Sequence, residues 1–182
     1  MKAQYETQRL ELKILTPDYC HEVLDFYQYN RRSFRPYEPR YPRSYYTADY
    51  QYKSLSFDYQ AYLEQKGVRF YLFQKNDPDT IIGTISFSGI THGYTSSAVV
   101  GYKLDSRFRH QGYAFEALQK GIEILFYEEK IHRINAYIMQ NNTASLRLIQ
   151  RLYFTYEGIA REYAFIQGKW EDHLQFSLIS HL

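Results

Sequence analysis

The sequence has a single cysteine, Cys20, so no internal disulfide can form and a reducing, cytoplasmic setting is expected. Cys20 falls in a predicted helix among apolar residues, which suits a buried bystander and not a nucleophile. No apolar run approaches the ~20 residues of a membrane span. Residues 1–16 lack the uninterrupted apolar stretch of a signal peptide. A large excess of charge of one sign is missing too. The net charge of +2 argues against duplex DNA as a partner. No Gly-Lys-Ser/Thr follows a glycine-rich loop, and the three spaced glycines of a dinucleotide fingerprint are absent. The six histidines, His21, His92, His110, His132, His173 and His181, share no ligand spacing on a helix, so no metal site is expected. His132 and His173, on predicted strands, are read as structural groups. No repeat or linker divides the 182 residues, which are expected to form one domain, 1–182, as a monomer or homodimer.

What the chain has in excess is tyrosine. There are 21, and ten of them lie between Tyr27 and Tyr62. Around the elements of that segment the periodicity is readable. Leu10, Leu12 and Ile14 alternate with charged residues and predict a strand over 9–15. Thr16-Pro17-Asp18 starts a helix that runs to about Tyr29. Pro36, Pro39 and Pro42 make 31–46 irregular, and a second helix is expected over 48–65. Strands follow over 68–74 and 81–88, joined by a turn at Asn76-Asp77-Pro78-Asp79, and over 97–104. A long helix is expected over 112–129, because Ala114, Ala117, Leu118, Gly121, Ile122, Leu125 and Phe126 share one face. A strand over 132–138, a short helix capped by Asn142, and two strands over 154–165 and 169–179 complete the order β-α-α-β-β-β-α-β-α-β-β. This is a mixed α/β fold.

The segment Arg109-His110-Gln111-Gly112-Tyr113-Ala114 lies between a strand and the long helix. A helix N-terminus presents unpaired N–H groups and a partial positive charge, which suit a pyrophosphate. Gly112 allows the backbone to approach such a group closely, Ala114 is small for the same reason, and Arg109 adds positive charge. By itself this pattern equally marks simple punctuation before a helix.

Its context is more specific. Val100-Gly101-Tyr102-Lys103-Leu104, then Arg109-x-x-Gly112-x-Ala114 and Glu116-Ala117-Leu118, resembles the donor-binding motif of the GNAT N-acetyltransferases. Ile131-His132-Arg133-Ile134 and Asn142-x-x-Ser145-x-x-Leu148-Ile149 resemble the Rim-type subgroup, which acetylates N-termini of ribosomal proteins. Arg161-Glu162-Tyr163, Gly168-Lys169-Trp170-x-Asp172-His173 and Arg35-Pro36-Tyr37-Glu38-Pro39 are similar to it as well. The resemblance spans about residues 9–179. It implies a mostly antiparallel sheet flanked by helices, with a splayed strand pair at the donor site, and acetyl-CoA as cosubstrate. Lys103 and Leu104 should offer backbone groups to the acetyl and pantetheine amides. Residues 109–114 should hold the pyrophosphate, Asn142 the pantetheine arm, and Ser145 should stand near the thiol.

Two departures from the family pattern stand out. Where relatives have Gly before the strand that follows the short helix, this chain has Tyr153, so the turn is expected to avoid positive φ. Where many relatives place a Tyr seven residues after the motif Asn, this chain has Ile149, which leaves Ser145 as candidate acid for the thiolate. The candidate bases are Glu38 and Glu162. Glu162 stands two residues before Ala164, where some relatives carry Glu, and shares its strand face if no bulge intervenes. Arg31, Arg32, Arg35, Arg40 and Arg43 interleave with tyrosines, which reads as a lid on the acceptor side with arginines facing water, or as a surface stacking on RNA.

Three functions fit these residues. The first is acetylation of a protein N-terminus, with a ribosomal protein as acceptor. The second is acetylation of a small amine such as a polyamine, amino sugar or antibiotic. The third is a non-catalytic acetyl-CoA-binding module that contacts RNA or the ribosome.

Overall fold

The computed structural model describes residues 1–181. Its elements are β1 (Gln4–Glu6), β2 (Leu10–Lys13), α1 (Cys20–Phe34), α2 (Ala48–Leu63), β3 (Gly67–Gln74), β4 (Asp77–Thr91), β5 (Ser97–Leu104), α3 (Tyr113–Glu123), β6 (Arg133–Met139), α4 (Thr143–Arg151), β7 (Thr155–Ile166) and β8 (Lys169–Ile179). The expected order is found, with β1 added in front. Only Tyr5 of β1 is buried, and three residues are too few to display a period.

The strands form one 8-stranded sheet in the order β1-β2-β3-β4-β5-β6-β8-β7. Every neighbouring pair is antiparallel except β5 and β6. Helices cover both faces. One core joins Leu10, Leu12, Phe70, Leu72, Ile85 and Phe87 to Ala117, Leu118 and Leu125 of the α3 segment and Ile149 of α4. The other joins Tyr71, Phe73 and Ile81 to Val23, Phe26, Tyr27 and Phe34 of α1 and Leu55 of α2. A strand buried on both sides must be apolar throughout. The run Phe70-Tyr71-Leu72-Phe73 is apolar for that reason, with alternate residues in alternate cores.

Several details differ from the sequence reading: α1 runs on to Phe34, past the expected end near Tyr29 and into the segment read as irregular, and β4 reaches Thr91. β4 begins at Asp77, before Pro78, because the register jumps from Gln74↔Asp77 to Phe73↔Ile81. The bulge holds Pro78 where β5 has already ended, Gly83 pairing with Leu104, so its missing N–H breaks no ladder bond. The long helix changes to a π-helical turn at Ile124–Glu128 before it stops. Tyr153 takes φ +63°, contrary to the expectation that a non-glycine would avoid it. The end of α4 dictates this. Phe154 N–H donates to Ile149 C=O and Tyr153 N–H to Gln150 C=O, the closing pattern that places its C′ residue in the left-handed region.

The feature that positions the site is the parallel pair. β5 and β6 are joined only at Ser97↔Arg133, Ala98↔Ile134 and Val99↔Asn135. Beyond Val99 the two strands separate, β6 following β8 while β5 follows β4. The split opens directly before the loop that leads to α3.

Candidate active site

A cavity of about 350 Å³ opens at the split. Side chains alternate across a strand, so β5 sends neighbours to opposite sides. Tyr102 and Leu104 pack with the α3 and α4 core. Lys103 points the other way, toward Tyr27 and Phe34 of α1. The cavity therefore has two walls. On the α3/α4 side stand Arg109, His110, Gly112, Ala114, Asn142 and Ser145; on the α1 side stand Ser33, Phe34, Tyr37, Glu38 and Lys103.

Backbone direction alternates as well. Asp105 N–H donates to Ile82 C=O at 2.9 Å, and the hydroxyls of Ser86 and Ser88 reach the carbonyls of Gly101 and Val99. The odd-numbered residues of β5 thus turn their peptide groups to β4. Tyr102 and Leu104 turn theirs into the split. Leu104 thus presents its peptide groups to the split, whereas those of Lys103 serve β4 and its side chain enters the cavity.

The loop before α3 is built for close approach. Gly112 is the N-cap with φ +84°, no side chain caps the helix, and His110 also has positive φ, +62°. The first N–H groups of α3 thus face the cavity mouth without a competing side-chain acceptor. A clamp that sequence reasoning missed holds this loop from behind. Arg9 Nε pairs with Glu116 at 2.7 Å, Arg9 Nη1 donates to Gln111 C=O at 2.9 Å, and the guanidinium lies 4.4 Å from the Tyr113 ring centroid. Burial would raise the Glu116 carboxyl, but hydrogen bonds from Thr7 and Arg9 outweigh it and hold it below the ordinary value. Gln111 and Tyr113 face this clamp and do not line the cavity. The Gln111 amide donates to Arg107 C=O, and the buried Tyr113 hydroxyl accepts from Gln74 at 2.6 Å.

Asn142 does cap α4, its Oδ1 accepting from Ser145 N–H at 3.2 Å. That leaves its amide nitrogen as the group to offer a ligand. Ser145 stands beside a second hydroxyl, since Tyr102 OH donates to Ser145 C=O at 3.4 Å. Burial pushes the Tyr102 phenol up to about 12, against the opposing hydrogen bond to Ser145. Tyr102 therefore stays protonated at neutral pH. The alternation Val100-Gly101-Tyr102 places it on the α3/α4 side, a signal in the sequence that was readable.

Glu38 lines the other wall, 8% exposed, in an ion pair with Lys103. Burial works to lower the Lys103 amine, but Tyr27 and the Glu38 carboxylate outweigh it, and the net shift is upward. Glu38 is held through its backbone. Gln167, in the β7–β8 turn, donates to Glu38 C=O at 2.9 Å and accepts from Arg35 Nε at 3.2 Å. The base of the α1 wall is fixed by Asn30, whose amide donates to the buried Asp105 carboxylate and whose oxygen accepts from Ser106 N–H.

Glu162 does not join this wall. A register shift lies between Ala160 and Ala164, Glu162 has φ +48° and is exposed, and its N–H donates to Asp172 at 2.8 Å. The bulge on this outer strand breaks the face-sharing that spacing alone would give. The arginine-rich segment divides its aromatics between core and surface, with Tyr29 and Tyr37 exposed. Tyr45 is buried in the second core, while Arg31, Arg32, Arg35, Arg40 and Arg43 are exposed.

A sheet split at its one parallel pair, with an uncapped helix start beside the gap, sets the frame of the site. The chain belongs to the GNAT acetyltransferase family, whose domain model, described as Acetyltransferase (GNAT) domain, matches residues 9–155. It is similar to the [Ribosomal protein uS5]-alanine N-acetyltransferase of Escherichia coli, 30% identical with 97% of this chain and 91% of that protein covered. It is 34% identical to the probable N-acetyltransferase YjcK of Bacillus subtilis, over 87% of each. Among solved structures, the ribosomal-protein-S5-alanine acetyltransferase of Vibrio fischeri superposes with a TM-score of 0.93 at 27% identity, covering 99% of this chain and 98% of that one.

Proposed function

We propose that this acetyltransferase uses acetyl-CoA and transfers its acetyl group directly to the α-amine of a protein N-terminus, with a ribosomal protein as the acceptor. The observation that carries the reading is the two-walled cavity. Hydroxyls and an uncapped helix start stand on one side of β5, and a carboxylate stands on the other. The pyrophosphate suits the start of α3 with Arg109 and His110, and the thioester suits the split. Relatives named for acetylation of a ribosomal protein's N-terminal alanine support the acceptor class.

In this reading the amine nitrogen attacks the thioester carbonyl carbon from the α1 side. A C–N bond forms and the C–S bond breaks. Backbone N–H groups of Tyr102 or Leu104, turned into the split, polarise the carbonyl oxygen. The sulfur takes a proton from Ser145 or Tyr102, and the nitrogen loses one to Glu38 or to water. No strongly tuned base is needed for this acceptor. An α-amine has a pKa near 7.7–8.0 and a lysine side chain one near 10.4, so reaching the neutral form at pH 7 costs roughly 1 kcal/mol for the first and nearly 5 for the second.

The test is free-thiol release from acetyl-CoA with peptides beginning Ala-, Ser- and Met-, beside a lysine peptide with a blocked N-terminus. Free N-termini should be the better acceptors. Faster turnover of the blocked lysine peptide, or of small amines with no peptide accepted, overturns the proposal.

A further inference from the structure

The ion pair on the acceptor wall has a property that the transfer reaction itself does not require. Among the described residues lining the cavity, Glu38 is the only carboxylate, and Lys103 already answers its charge. The ammonium is fixed there. It lies 5.0 Å from the Tyr27 ring centroid and 5.7 Å from that of Phe34, within the range of cation–π attraction. The residue that carries the carboxylate is held too, at its backbone carbonyl, by Gln167, which in turn accepts from Arg35. The remaining charged groups of the lining, Arg109 and Arg151, are positive. Beyond Tyr27, the Asp58 carboxylate is paired with Arg69 at 2.7 Å and adds no free negative charge.

A half-buried carboxylate without a partner would draw any cation that fits, because an unpaired charge away from water is costly. Here the chain supplies its own cation. A second positive charge on an acceptor would lose hydration and find no unanswered carboxylate. We infer that Lys103 is a specificity residue that keeps acceptors carrying a second positive charge out of the cavity. It works by occupying the place such a charge would take, which is discrimination by exclusion and not by added attraction. The inference rests on the acetyl-transfer reading for which wall the acceptor meets, but not on the acceptor being a protein.

The experiment compares kcat/KM within two pairs of acceptors. One pair is a peptide beginning Ala-Gln and its Ala-Lys counterpart; the other is n-butylamine and putrescine. The singly charged member should be preferred by the native chain about tenfold, the equivalent of ~1.4 kcal/mol. Lys103→Met should bring the ratio near one or reverse it, with Lys103→Gln as the alternative if the Met variant fails to fold. Lys103→Arg, which restores the charge, should keep the native preference. The double variant Lys103→Met/Glu38→Gln, which removes both charges, should recover it. A ratio unchanged by Lys103→Met in both pairs overturns the inference, as does loss of preference in Lys103→Arg equal to that in Lys103→Met, since either would mean that charge is not the cause. If no peptide is acetylated but n-butylamine is, the protein-acceptor proposal fails while the amine pair still decides this one. If neither pair is turned over, the acceptor wall is misassigned and the inference falls.

Discussion

The two walls of the cavity are assembled in different ways. The α3/α4 wall is made of two short stretches, one in the loop before α3 and one at the start of α4, and the loop is braced by Arg9 from the turn between β1 and β2. The α1 wall is made of side chains brought together from far apart. Glu38 meets Lys103 across 65 positions and Gln167 across 129. A wall of backbone groups recognises something every member of a family shares. A wall of distant side chains can be changed one residue at a time, and it is where members of one fold come to differ in what they accept.

That contrast can be broken or sharpened by substitution. The largest effect is expected on the α1 wall. Glu38→Gln should lower kcat/KM for the amine by about 100-fold, the low end for loss of a proton acceptor, and leave acetyl-CoA affinity within about twofold. Steady-state kinetics with each substrate varied, beside calorimetric titration of CoA, reads this directly; an unchanged kcat/KM removes Glu38 from the chemistry. On the opposite wall the pattern should invert. A Cβ on Gly112 would sit 3.3 Å from Arg9 Nη2, at φ +84°. Gly112→Ala should therefore cost about 1–2 kcal/mol in strain and raise KM for acetyl-CoA by about tenfold, with KM for the amine unchanged. The smallest effect lies outside both walls. Tyr153 is exposed and held at φ +63°, so Tyr153→Gly should stabilise the fold by about 0.5–1 kcal/mol, raise Tm by a few degrees and leave kinetics alone. A lower Tm would mean that the tyrosine ring contributes more than its backbone costs.

The same division explains what could be read from the amino-acid sequence. Residues 109–114 are contiguous and precede a helix with a clear apolar face, so they could be read together as a candidate anion site, and Asn142 announced itself as a cap. The order of elements was legible because both cores impose regular burial on long segments. The Glu38–Lys103 pair was not, because nothing local to either residue marks the other; each entered the reading separately, one as a base and one as a backbone donor. Arg9 was hidden for the same reason, its partners Gln111 and Glu116 lying over 100 positions away. Glu162 failed on geometry. Strand alternation holds only while the register holds, and the shift between Ala160 and Ala164 is not encoded in any glycine or proline at that place. Pro78 shows the reverse case, a residue that suggests a turn and is instead absorbed by a bulge.

Gln167 ties the β7–β8 turn to the segment that carries Glu38, and it does so with both ends of one amide. The α1 wall is thereby coupled to the β7–β8 hairpin, at the far edge of the sheet from β1. The backbone that carries Glu38 keeps this hydrogen bond only while the turn is formed, so one wall of the cavity depends on the far edge of the sheet. Loss of the β7–β8 turn would leave residues 109–114 with their Arg9 clamp and take from Glu38 its backbone anchor.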